Sequence, residues 1–259
     1  MTLRHIIIIC AAALAALTAE AAERVVEMQS PAMKVFIPDQ PSGEAVVVLP
    51  GGGYSHTAIN HEGYDWAPFF NARGMVCAVV DYRMPQGDRS VPTADAMAAL
   101  KVLRDSAAVW HITPTRIGIM GSSAGGHLAS TVALNAPAEL RPAFQILFYP
   151  VITMDRAYTH QGSHDNLLGR DASRALEWEY SGEKRVTTAT PPAIMLLSAD
   201  DKAVPPHNST AYFEALTAAG VPAAIHIWPS GGHGWGYRDS FKYHSEMLAE
   251  LSQWLETLR

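Results

Sequence analysis

The stretch Gly121-Ser122-Ser123-Ala124-Gly125 constrains this chain most, because of what lies on either side of it. An apolar, β-branched run from Arg116 to Met120 leads into it, and a helical pattern from Gly125 to Leu134 leads out. A serine between a strand and a helix sits on a strained turn. Small flanking residues let the two backbones approach closely while the hydroxyl stands exposed. Only Ser123 fits this register, since centring on Ser122 would put Met120 and Ala124 where the glycines belong. Strand, sharp turn and helix in that order predict a parallel sheet with crossover helices, carrying a nucleophile at the end of one strand.

The rest of the chain keeps that rhythm. Predicted strands run over Ala45 to Pro50, Met75 to Tyr82, Arg116 to Met120, Phe144 to Pro150, Ala193 to Ala199 and Ala223 to Pro229. Predicted helices run over Tyr64 to Ala72, Thr93 to Val109, Gly125 to Leu134, Ser209 to Ala219 and Phe241 to Leu258. In the last, Met247, Leu248, Leu251, Trp254, Leu255 and Leu258 share one face at helical spacing, which marks a core helix. Residues 152–192 break the alternation with a mixture of His, Gly, Asp, Arg and Thr. They read either as an excursion that walls a pocket or as a plain surface loop.

Bulk properties narrow the class further. The 259 residues are 48% hydrophobic and 17% charged, which suits one packed α/β domain. A net charge of -6 without a basic stripe excludes nucleic acid as an expected partner. Residues 1–21 read as a signal peptide: Arg4 and His5, an apolar run from Ile6 to Leu17, then Ala19-Glu20-Ala21. The run falls short of the ~18 to 20 residues that span a bilayer, so no stable membrane insertion is expected after its removal. The mature domain is expected over 22–259, exported to a periplasm or secreted. Cys10 lies in the leader, which leaves Cys77 alone in the mature chain and without an intrachain disulfide. Nothing in the sequence sets the oligomeric state.

A nucleophilic serine needs donors for the oxyanion it generates. Pro50-Gly51-Gly52-Gly53-Tyr54 follows the first central strand, and the expected donors are the amides of Gly52, Gly53 and Ala124. His233 is the best candidate base: it follows the last strand, inside Gly231-Gly232-His233-Gly234-Trp235-Gly236, whereas His226 falls within a strand, His244 on the final helix and His207 close to the acid loop. The acid should follow the preceding strand, where Asp200 and Asp201 compete. Tyr54 and His56 read either as pocket residues or as an ordinary loop aromatic and a solvated histidine.

With these stretches in place, the chain resembles the α/β hydrolases, and among them bacterial acetylxylan and feruloyl esterases. The likeness rests on Pro50 to Tyr54, Asp81-Tyr82-Arg83, Gly121 to Ser130, Gly162-Ser163 with Asn166-Leu167-Leu168-Gly169, Thr190-Pro191-Pro192, Asp201 to Pro205 and Gly232 to Gly236. It implies a mostly parallel central sheet with helices on both faces and a Ser123, His233, Asp201 triad. Val204-Pro205 follows Asp201 with the spacing of the acid turn in this fold. The implied reaction is hydrolysis of small acyl esters, acetyl above all, on xylan or related polysaccharides, with no metal or organic cofactor. Two departures stand out: Pro50 replaces the histidine usual before the glycines, and 152–192 replaces the larger lids of many lipases. A prolyl-peptidase-like hydrolase is the second reading, weakened by Ala124 where that group carries Tyr. A catalytically dead binding module is the third, weakened by the presence of all three triad residues.

Overall fold

A computed structural model describes residues 24–258; the expected leader, with Cys10 in it, lies outside the described residues. Eight strands form one sheet: β1 Arg24–Gln29, β2 Ala32–Ile37, β3 Ala45–Leu49, β4 Val76–Val80, β5 Ile117–Ser122, β6 Gln145–Phe148, β7 Ala193–Ser198 and β8 Ala223–Trp228. The helices are α1 Ala67–Asn71, α2 Ser90–Asp105, α3 Ala107–Trp110, α4 Ala124–Asn135, α5 Gln161–Leu168, α6 Arg174–Glu179, α7 His207–Ala218 and α8 His244–Glu256. The sheet runs in the order β1-β2-β4-β3-β5-β6-β7-β8. It is parallel from β4 to β8, with an antiparallel β1 and β2 at one edge.

The alternating side chains of the strands explain the layers. Val47 and Leu49 of β3 join residues of α2, α4 and α7 in one core. Val46 and Val48 join residues of α1 and α8 in the other. Both faces of β3, β4 and β5 are therefore covered, and these strands read as unbroken apolar runs rather than as alternating ones. On α8, Met247, Leu251 and Leu255 are buried, each stabilising the fold by roughly 1.5–3 kcal/mol. All six predicted strands form. The predicted helix over Thr93 to Val109 is divided at Ser106 into α2 and α3, and the last helix begins at His244 instead of Phe241. The β1–β2 hairpin leaves little trace in the sequence because β1 is largely exposed and β2 buries only alternate residues.

Register brings the chemistry to one end of the sheet. Leu49 pairs with Gly121, so the glycine loop after β3 lies beside the turn after β5. Ser198 pairs with Trp228, so the loops after β7 and β8 leave the sheet side by side. Among the described residues no helix is long and apolar enough to cross a membrane.

Candidate active site

Ser123 occupies the turn between β5 and α4 with φ 53° and ψ -120°, and its amide donates to the Phe148 carbonyl at 2.9 Å. The glycines around it are sterically required. A Cβ on Gly121 would lie 2.1 Å from the Gly125 carbonyl oxygen, and one on Gly125 would lie 2.0 Å from that of Leu49. Tyr54, in the loop after β3, and Tyr149, just after β6, also hold positive φ, 59° and 34°. Such angles cost a non-glycine residue about 1–3 kcal/mol of strain.

The Ser123 hydroxyl lies 2.8 Å from Nε2 of His233, whose Nδ1 lies 2.6 Å from Oδ2 of Asp201. A carboxylate beside Nδ1 accepts, so the proton sits on Nδ1 and Nε2 is left to accept from Ser123. The other oxygen of Asp201 takes the amides of Ala203 and Val204, both at 2.9 Å, which fixes the carboxylate plane. Asp200 acts elsewhere, since its Oδ1 accepts the Gly232 amide at 2.8 Å and so fastens the loop that carries His233. His226 lies within β8 and His244 at the start of α8, while His207 packs at a tilt against Tyr158 with ring centroids 4.2 Å apart.

Gly52 and Gly53 turn at φ 135° and 65° and line the same cleft as Ser123. Ala124 is buried and its amide opens α4, next to the serine. Among the described residues, the amides of Gly52, Gly53 and Ala124 donate to no protein acceptor. The cleft encloses about 440 Å³ and takes His56, His61, His160, Gly162 and Asn166 into its lining. Three of those five come from 152–192, where α5 and α6 form despite the polar sequence. Side-chain caps start both helices: His160 accepts the Ser163 amide and Ser173 accepts the Leu176 amide.

Tyr54 does not line the cleft. It is 2% exposed, and its hydroxyl lies 2.8 Å from Nδ1 of buried His127. Nε2 of His127 lies 2.8 Å from the Tyr180 carbonyl, which can only accept, so Nε2 carries the proton and Tyr54 donates to Nδ1. Burial pushes the His127 pKa down to about 4, the Tyr180 contact opposing that only in part.

Two further residues had no motif to announce them. Glu62, 3% exposed, accepts the Gly51 amide at 2.7 Å and the Tyr149 hydroxyl at 2.7 Å. Tyr149 in turn accepts the Gly236 amide at 2.7 Å and sets its ring against that of His233, centroids 4.7 Å apart. Burial, then the Glu62 charge, hold the Tyr149 phenol well above its ordinary pKa, so it remains a donor. The glycine loop and the histidine loop are thus tied through one buried carboxylate. Tyr149 closes an apolar strand run and could have been suspected. Glu62 lies in an irregular loop and gives no sequence signal. Among the described residues no three His, Cys, Asp or Glu side chains converge as a metal site.

Residues 46–236 match the family described as alpha/beta hydrolase fold. An acetylxylan esterase of Xylanibacter ruminicola is 44% identical over 230 residues, 87% of this chain and 48% of that protein. An endo-1,4-beta-xylanase B of Butyrivibrio fibrisolvens is 33% identical over 211 residues, 76% of this chain and 33% of that protein. The chain therefore spans about half of the first relative and a third of the second. Among solved structures, an acetyl ester-xyloside bifunctional hydrolase of Caldicellulosiruptor lactoaceticus superposes with a TM-score of 0.81 at 33% identity, covering 88% of each chain.

Proposed function

The chain belongs to the α/β-hydrolase family, and from that premise we propose that it is a serine carboxylesterase that removes acetyl groups from xylan or a related polysaccharide. The observation that carries this reading is the unbroken path from Ser123 through His233 to Asp201 beside free glycine amides at the foot of an open cleft. The likeness to an acetylxylan esterase supports the substrate class.

In this reading Ser123 attacks the ester carbonyl while His233 Nε2 takes its proton, and Asp201 stabilises the imidazolium that forms. The amides of Gly52, Gly53 and Ala124 receive the tetrahedral oxyanion, each such donor contributing on the order of 10²–10³ in rate. His233 then returns the proton to the departing sugar alkoxide, leaving an acetyl-enzyme. Water activated by the same imidazole releases acetate. An insoluble or oligomeric substrate fits the export expected of residues 1–21, so we propose that the protein works in a periplasm or outside the cell.

The test incubates wild type beside Ser123→Ala with acetylated xylan, a feruloylated oligosaccharide, a short-chain aryl acetate and a prolyl peptide. Acetate release from xylan is expected, lowered by about four to six orders of magnitude in the variant. Release of amine alone would move the chain to the peptidases, and no Ser123-dependent product from any of the four would leave a binding module.

A further inference from the structure

The cleft holds a second imidazole that the triad does not use. Nδ1 of His160 lies 3.2 Å from the Ser163 amide nitrogen and 2.9 Å from the Ser163 hydroxyl. A ring nitrogen that takes an N–H must lack a proton, so the neutral ring carries its hydrogen on Nε2. Burial first, and then the neighbouring His233, hold His160 below the ordinary histidine pKa and keep it in that neutral form. Among the described residues Nε2 has no protein partner, while the ring lines the cleft beside Gly53 and Gly162.

The position of the ring selects what it meets. His160 lines the same cleft as Ser123 and His233, with its ring edge facing the Gly53 turn. Ester hydrolysis as proposed above requires His233 to hand its proton to the leaving alkoxide, so the alcohol half of the substrate lies against His233, in the cleft that the His160 ring also lines. We propose that His160 is a specificity-determining residue whose Nε2–H donates to a free hydroxyl next to the acylated oxygen, selecting sugar esters over esters of simple alcohols. The inference rests on the ester-hydrolase reading.

His160 also caps α5, and the test must separate capping from substrate recognition. His160→Asn keeps an oxygen where the Ser163 amide needs an acceptor but does not reach the Nε2 position. His160→Gln carries an amide N–H out to that position. kcat/KM is measured on an acetylated xylo-oligosaccharide and on 4-nitrophenyl acetate, which has no neighbouring hydroxyl. His160→Asn should lower the sugar-ester value about tenfold and the aryl-ester value less than about twofold, with His160→Gln restoring part of the loss. Equal losses on both esters, or none on the sugar ester, would overturn the assignment. A wild type that cleaves only the aryl ester would instead overturn the substrate reading beneath it.

Discussion

At the floor of the cleft, Gly121 and Gly125 leave no room for one added methyl without overlap with a carbonyl oxygen. In the roof, a methyl on Gly162 would meet only the His160 ring, and one on Gly169 would meet nothing within 4 Å. The floor is backbone pressed against backbone at the ends of β3, β5 and β6. The roof, 152–192, buries Ile152, Met154, Leu167 and Leu168 in the core and is also held by single side-chain contacts to main chain: Asn166 to the Gly53 carbonyl at 2.8 Å, His127 to that of Tyr180 at 2.8 Å, and Asn208 accepting the amides of Ile152 and Thr153. The serine turn thus stands where an added Cβ overlaps backbone, whereas the added Cβ at Gly162 has a side chain for its nearest neighbour.

The sharpest division within the floor is between two adjacent carboxylates. Asp201→Asn should lower kcat on an aryl acetate by about four orders of magnitude, because the amide no longer holds the His233 tautomer. Asp200→Asn should stay within about threefold, since its oxygen still accepts the Gly232 amide. Equal losses would erase the division. The link between floor and roof should yield to acid. His127 is buried and neutral with its pKa depressed to about 4. Its contribution is therefore complete above the unfolded value of ~6.5 and is lost as pH falls toward 4. Urea unfolding should show a loss of about 3 kcal/mol from this group between about pH 7.5 and pH 4, and His127→Gln should remove that part of the slope.

Glu62→Gln weakens the tie between the glycine and histidine loops. A cost of about 2 kcal/mol in stability and a fall in kcat of about tenfold are expected, with KM nearly unchanged, measured by unfolding and steady-state kinetics. Asn166→Ala is the matching cut in the roof. It removes one neutral hydrogen bond worth about 1 kcal/mol and should raise KM about threefold with little change in kcat. If Asn166→Ala lowered kcat as much as Glu62→Gln, floor and roof would not differ in kind.

The same contrast decides what could be read before folding. Ser123 stands out as a candidate because the close approach at Gly121 and Gly125 admits few residue types. Gly52, Gly53 and His233 stand out because positive φ favours glycine at 52 and 53 and on either side of the histidine; short spacings record both restrictions. Choosing Asp201 over Asp200 depended on the acid-turn spacing; in the structure Asp201 meets His233 Nδ1 while Asp200 accepts the Gly232 amide. Glu62 was invisible: its partners Gly51, Tyr149 and, through Tyr149, Gly236 are distant in sequence and demand no motif. Tyr54 read as a pocket candidate because nothing local announces His127 as its partner. Short capped helices such as α5 and α6 offer too few turns for an apolar period to emerge from polar residues.

The three left-handed bends at Tyr54, Ser123 and Tyr149 also carry an evolutionary consequence. At Ser123, selection for turnover is what keeps a side chain at an angle that glycine would adopt without strain. At Tyr54 and Tyr149 the buried ring and its hydrogen bonds outweigh the strain, so a descendant released from the reaction would gain stability by drifting to glycine at Ser123 alone. A glycine at position 123 in a related chain would therefore mark the loss of activity.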